Sequence, residues 1–516
     1  MVGVVILPEK IINKLKNYIL LQWKICFISA IVIGLITHFY KITNWLPNWD
    51  SLVFRYDPQN MISMGRWFLP VASGFSSFYD LPWLTGLMAI LFHALGAVAI
   101  VEIFKVKKNV TACIIGAVVA SFPTVTSVMM YNYVADAYAL SFLFAVLAAL
   151  FLTREKPRYI ISVILIALSV GIYQAYITVT IMLLICFLMF KALSKDTKIK
   201  ELFVCGGKFL LTGIFGMLLY YLFLTLLLKL TKITLLDYQG FGDAASLSGL
   251  NLFASLYTIK ETFFGYFFDF SKGINAFSVI NVIIILVSVV LYLKYIIKNK
   301  IGILKTIILV VLVALLPIGA SVLSIINSAI DYHNLMKMGF FIFYLIFILI
   351  YEKIEFTNRT FEIIKSWSVL ILSAVLVFNY IIIANISYHK LNMAYEKSIG
   401  TLNRIADRIE QTEGANACDS ILVLGALENS ENYSSNLPPD ITGTTDGYIL
   451  RADDEIVGQS VLCSALNDYC GKEYKSLSGE EKQELLKKID ENSLSNWPHN
   501  NSIKIIDNVI VIKMGD

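Results

Sequence analysis

Asp50, Arg55 and Arg66 fall within one polar, tryptophan-rich stretch between residues 41 and 80, with Asp57 and Asp80 beside them. Trp45, Trp49 and Trp67 share that stretch and Trp83 follows it. A carboxylate can accept the proton of an attacking hydroxyl, and a guanidinium can hold a phosphate through paired N–H donors. Together they suit transfer of a group away from a phosphate, a leaving group that needs charge stabilisation more than a general acid. A second candidate cluster is Tyr131-Asn132-Tyr133-Val134-Ala135-Asp136-Ala137-Tyr138, whose rings suit stacking on a sugar. A third is Asp331-Tyr332-His333-Asn334 with Lys337. Asp50 is the expected base; Arg55, Arg66, Asp136, Asp331, His333 and Lys337 are the expected substrate-binding groups.

Each of these residues also has a plain structural reading. Asp50 and Asp136 could cap helices, and Asp57-Pro58 reads as N-cap and first residue of a helix running towards Arg66. Arg66 could snorkel to a lipid phosphate, and His333 could be an ordinary loop residue. Other chemistries are missing. There is no Walker loop, no HExxH, no Asp-x-Asp and no zinc-type cysteine spacing. No resident cofactor is indicated, a divalent cation is left open, and nothing points to nucleic acid.

The elements that must position these groups are apolar. Of 516 residues 57% are hydrophobic and 16% charged, with a mean hydropathy of +0.70, so most of the chain belongs in lipid. About eleven spans are expected, near 20–40, 82–104, 110–130, 137–153, 159–173, 175–191, 203–229, 277–297, 304–325, 335–352 and 367–387. Lys105/Lys107/Lys108, Arg154/Lys156/Arg158, Lys191 to Lys200, Lys294 to Lys305 and Lys353/Arg359/Lys365 fall in alternate connections. The positive-inside bias makes that side cytoplasmic and places the candidate residues outside, together with the C-terminal tail. Residues 1–24 read as an interfacial helix with a cytoplasmic start, and the segment before Phe270 as a helix lying in the interface.

From Tyr388 onward there are 12 basic and 21 acidic residues, against 30 and 17 before it. A membrane domain over 1–388 and an extracytoplasmic α/β domain over 389–516 follow. The tail should hold a polar helix over 391–412, a buried strand at 420–425, a charged helix over 479–491, and two strands turned at Asp507-Asn508. Cys418, Cys463 and Cys470 leave open one disulfide or three buried thiols.

The order Asn48-Trp49-Asp50, Arg55, Gly65-Arg66-Trp67, Asp80-Leu81-Pro82 and then YNYVADAYALS resembles bacterial serotype-converting O-antigen glucosyltransferases of the Gtr type. The ending, Asn496-Trp497-Pro498 and then Ser502 to Lys513, is similar to that family's. The resemblance implies a GT-C type fold in the bacterial inner membrane. It also implies an undecaprenyl-phosphate-linked glucose donor and a surface polysaccharide acceptor. Asp50 matches the family's base and Asp136 a second acid from the next outer loop; Ser51 stands where paired acids are common, so metal dependence does not carry over. The rival is a transporter or flippase of lipid-linked glycans, which would need ionisable residues mid-span and inverted repeats. Glu102 and Lys208 lie near span ends and no repeat is evident. A non-catalytic envelope-assembly partner is the third reading.

Overall fold

The computed structural model describes residues 9, 18–48, 50–51, 58–236, 252–269, 276–326, 330, 332–425, 455–471, 473–477, 479–490 and 493–515. Arg55, Asp57, Asp331, the N-terminal segment apart from residue 9 and residue 18 onward, and the 237–251 connection lie outside that set.

The membrane part contains α1 (Leu21–Thr43), α2 (Pro82–Ile103), α3 (Asn109–Ser121), α4 (Pro123–Met130), α5 (Ala135–Thr153), α6 (Tyr159–Ile172), α7 (Ile177–Leu193) and α8 (Ile199–Thr231). It continues with α9 (Leu252–Phe268), α10 (Ala276–Asn299), α11 (Ile303–Ala320), α12 (Ile342–Lys353) and α13 (Arg359–Gln411). Among the described residues nine helical stretches are long and apolar enough to cross a bilayer; α6 and α12 are shorter apolar helices. The protein is thus mostly helical and polytopic in character.

Breaks in the apolar pattern have local causes. Pro123 opens α4 at its first position, where its missing N–H costs nothing, so α3 and α4 are separate helices in one apolar run. Between α6 and α7, Tyr173 is extended (φ −151°, ψ 117°) and a 3-10 turn follows over Gln174–Tyr176. The helix expected from Asp57 to Arg66 does not form over its described part. Gln59 has φ +60°, residues 58–61 are non-helical, and only a 3-10 turn, Ile62–Met64, precedes Gly65.

Packing within the bundle depends on small residues. A Cβ on Gly116 of α3 would collide with the carbonyl oxygen of Cys26 and lie 3.1 Å from the amide of Ala30 on α1. The two backbones therefore touch, a geometry that gains dispersion where no hydrophobic driving force exists between helices in lipid. Near the C-terminal end of α1, Ala120 O can only accept, so His38 Nε2 donates to it (3.0 Å) and Nδ1 accepts from the Tyr388 hydroxyl of α13 (2.7 Å). α9 forms where a helix was expected; it buries Ile259, Phe263 and Phe267 and exposes Phe253, Leu256, Tyr257 and Phe264.

The tail adds β1 (Ser420–Leu424), α14 (Glu455–Cys470), β2 (Lys475–Ser476), α15 (Gly479–Leu486), β3 (Ile503–Ile506) and β4 (Val509–Lys513). The sheet order is β2-β1-β4-β3, with β1 parallel to β2 and β4, and β3 antiparallel to β4. Asp507 and Asn508 (φ +49° and +62°) turn the β3–β4 hairpin, the left-handed pair that a two-residue loop requires. A separate polar helix at 391–412 is not found. α13 runs unbroken for 53 residues from the last apolar stretch into the tail. All seven cysteines are free thiols.

Candidate active site

Arg66 follows a tightly specified turn. Gly65 adopts φ +75°, and a Cβ there would lie 2.6 Å from Tyr220 Oη and 2.8 Å from Gln174 Nε2. Those two side chains need that space because both bind the turn: Tyr220 Oη donates to Gly65 O (3.0 Å) and Gln174 Nε2 to Met64 O (2.8 Å). Phe68 N donates to Gly171 O at 2.8 Å, and a Cβ on Gly171 would sit 2.8 Å from the Trp67 ring. Trp67 stacks on Phe223 of α8 (5.3 Å). The Gly65-Arg66-Trp67 segment is thereby locked between the α6–α7 break and α8.

The guanidinium of Arg66 then enters a tyrosine cage. Nη1 donates to Tyr138 Oη (3.1 Å), and the cation lies 4.9 Å from the centre of the Tyr173 ring. Tyr138 and Tyr173 are themselves stacked at 4.6 Å and 16°. Cation–π contact and hydrogen bonding hold the guanidinium in place. Arg66 and His333 line one small cavity of about 30 Å³ with Tyr173 and Gln174, room for roughly a single water.

Asp50 joins this group. Asn48 Oδ1 accepts from both Ser51 N (3.0 Å) and Ser51 Oγ (2.7 Å), so Asn48 holds the capping position and Asp50 sits in the first turn beyond it. Burial pushes the Asp50 carboxyl up to about 6, while the Arg66 charge works in the opposite direction. Tyr133 lies within electrostatic reach of both Asp50 and Arg66. A partly buried carboxylate beside a caged cation can take a proton near neutral pH.

Asp136 is buried at the start of α5, and its carboxyl faces Ser76 and the first amides of the helix, a position that complements the helix dipole. Lys337 lies over the Tyr266 ring (5.5 Å) in the aromatic cluster around Phe340. Asp80 Oδ2 accepts from Trp45 Nε1 (3.0 Å), and Asp80 is the charge felt by buried Lys41. Trp45 in turn packs against Tyr395 of α13 and Tyr469 of α14 (6.2 and 6.1 Å), which ties the first polar loop to the tail. Among the described residues no three His, Cys, Asp or Glu side chains converge as metal ligands.

Tyr133 and Tyr138 come from the second candidate cluster, whereas Tyr173, Tyr220 and Gln174 complete the site without having been singled out. The signal available was an aromatic and amide interruption, Tyr173-Gln174-Ala175-Tyr176, inside an otherwise apolar helical pair.

The segment that supplies Asp50, Arg66 and the tyrosines falls inside a longer match: residues 39–350 fit the family model for glucosyl transferase GtrII. The chain belongs to the GtrII glucosyl transferase family. Together with its long apolar helices, membership makes this GtrII protein a membrane glucosyltransferase. No curated protein and no solved structure gives a significant match. The matched region takes in α2 to α11 and most of α12, and it stops before α13 and the tail.

Proposed function

We propose that the protein moves glucose from a polyprenyl-phosphate-linked donor onto a cell-surface polysaccharide, such as an O-antigen, at the outer face of the bacterial cytoplasmic membrane. The fold would be of the GT-C type, with the N-terminus inside and the 389–516 domain outside. In this reading the acceptor hydroxyl oxygen attacks the anomeric carbon and its proton passes to the Asp50 carboxylate. The bond from that carbon to the phosphate oxygen breaks, and Arg66 stabilises the charge left on the polyprenyl phosphate. Arg55, His333, Lys337 and Asp331 would border the donor, and Asp136 would support the acceptor side from the head of α5.

The observation that carries the reading is an apolar groove of about 1080 Å³ between α7, α8 and α11. It follows α8 from Leu202 to Tyr221, roughly 30 Å by helical rise and about the depth of a bilayer's hydrocarbon core. Its lining is almost wholly aliphatic and aromatic, and it ends at Tyr220, which is bonded to Gly65 next to Arg66. A chain seated there would deliver its phosphate to the guanidinium.

Nothing lies within 4 Å of a Cβ added at Gly213 in that groove. Gly213→Trp should therefore plug it while leaving the fold intact. With purified protein, the variant should raise KM for a long-chain polyprenyl-phosphate glucose and leave a short-chain, water-soluble analogue nearly unaffected. Equal loss with both donors would reject the groove as the seat of the lipid, and no transfer from either donor by the unmodified protein would reject the donor class.

A further inference from the structure

At the end of α8 remote from Arg66 lies a second large cavity, about 1160 Å³, formed where α2, α5, α7, α8 and α12 end. Eight cationic side chains and three carboxylates line it, so its own charge is strongly positive. One of the acids, Glu155, is already engaged by Lys105 (3.1 Å). Lys191, Lys195, Lys198, Lys200 and Lys208 make no ion pair among the described residues.

The lysines are spread in depth. Lys200 sits in the first turn of α8 and Lys208 about 12 Å further along it, near the ring of Tyr159 (6.0 Å). Beneath them the wall is apolar: Phe187, Phe190 and Phe209 line the same cavity, and Phe209 also borders the apolar groove. Cations above a phenylalanine floor, at the level where helices leave the bilayer, match a ligand with a phosphate at one end and hydrocarbon at the other.

We propose that this cavity binds the headgroup of an anionic phospholipid. Its phosphate would be held by Lys191, Lys200 and Lys208, and an acyl chain would lie along Phe187, Phe190 and Phe209. Arg66 is not part of this site, and the binding serves to seat the α7–α8 pair on the leaflet read as cytoplasmic. A soluble phosphate compound would satisfy the lysines but leave the apolar floor without a partner. Lipid is therefore the assigned source.

The test uses full-length protein purified from a membrane of equimolar phosphatidylglycerol and phosphatidylcholine, with retained lipids counted by native mass spectrometry. The wild type should keep phosphatidylglycerol selectively. Lys191→Gln/Lys200→Gln/Lys208→Gln should lower the ratio of retained phosphatidylglycerol to phosphatidylcholine by at least about tenfold, given the worth of each basic group near an anionic headgroup. Lys294→Gln/Lys298→Gln removes two charges at the same end outside the cavity and should leave the ratio unchanged. Lys208→Gln alone, checked for an unaltered melting temperature, should give an intermediate ratio if the triple variant misfolds. Equal retention by wild type and Lys208→Gln, or an equal fall in the Lys294/Lys298 control, overturns the proposal. Stabilisation of the wild type by inorganic phosphate without lipid selectivity overturns it too, in favour of a soluble ligand.

Discussion

The ionisation of Asp50 offers the sharpest test of the chemistry. Its carboxyl is raised to about 6 by burial, against the pull of Arg66. As a base it works only when ionised, and a group titrating near 6 is about nine-tenths ionised at pH 7 and about one-tenth at pH 5. Glucosyl transfer measured across pH 4.5–8 should therefore fall about tenfold per unit on the acid side of about 6. The sign for stability is the reverse. A folded carboxyl above its unfolded value binds its proton more tightly in the fold, so this group's contribution grows as pH drops from about 6 towards the ordinary carboxylate range. The acid loss of activity should accordingly be reversible, without melting driven by Asp50. Arg66→Gln removes the opposing cation and should shift the acid limb to higher pH, in addition to lowering the rate. Asp50→Asn should lose on the order of 10²–10⁴-fold in rate and flatten the limb. A limb centred near 4 in the wild type, or one that survives in Asp50→Asn, would refute the assignment of Asp50 as base.

Three further outcomes are expected. Gly65→Ala must strain a φ of +75° and crowd Tyr220 and Gln174, at a cost of about 1–3 kcal/mol; a lower melting temperature and a raised donor KM would show it, and unchanged values for both would count against the Arg66 turn. Trp45→Ala removes the bond to Asp80 and the contacts to Tyr395 and Tyr469, so the tail should become more susceptible to limited proteolysis while Asp80→Asn, which keeps an acceptor for the indole, should change little. A reporter fused at Asp516 should be active only in the export-dependent form, and cytoplasmic activity there would move every site residue to the wrong side of the membrane.

Much of the bundle was legible because apolar run length alone marks a helix that can sit in lipid. The Asp507-Asn508 hairpin was equally legible, since few residue pairs adopt two left-handed conformations in a row. The helix expected after Asp57 failed over 58–61 for a reason of the same kind: Gln59 takes a left-handed conformation that its residue type does not announce. The change in charge balance from Tyr388 onward suggested a boundary, yet backbone hydrogen bonding in α13 is indifferent to whether side chains meet lipid or water. Sequence also placed Arg66 and Asp50 in one stretch and Tyr138 in a second cluster, but could not bring Tyr138, Tyr173 and Tyr220 to the Arg66 turn. These come from 72 or more residues away and meet the turn only after α5, α6 and α8 have packed.

The unbroken α13 gives the tail an angular setting. One face of the helix holds Tyr388 on His38, and about two turns later Tyr395 meets Trp45 and Tyr469. Inserting a single residue between Tyr388 and Tyr395 would swing everything beyond it by about 100° and carry Tyr469 away from Trp45. Inserting seven would nearly restore the azimuth but lift the sheet by roughly 10 Å. The contacts of Trp45 with Tyr395 and Tyr469, carried on one continuous helix, therefore set the tail's height and bearing relative to the first polar loop.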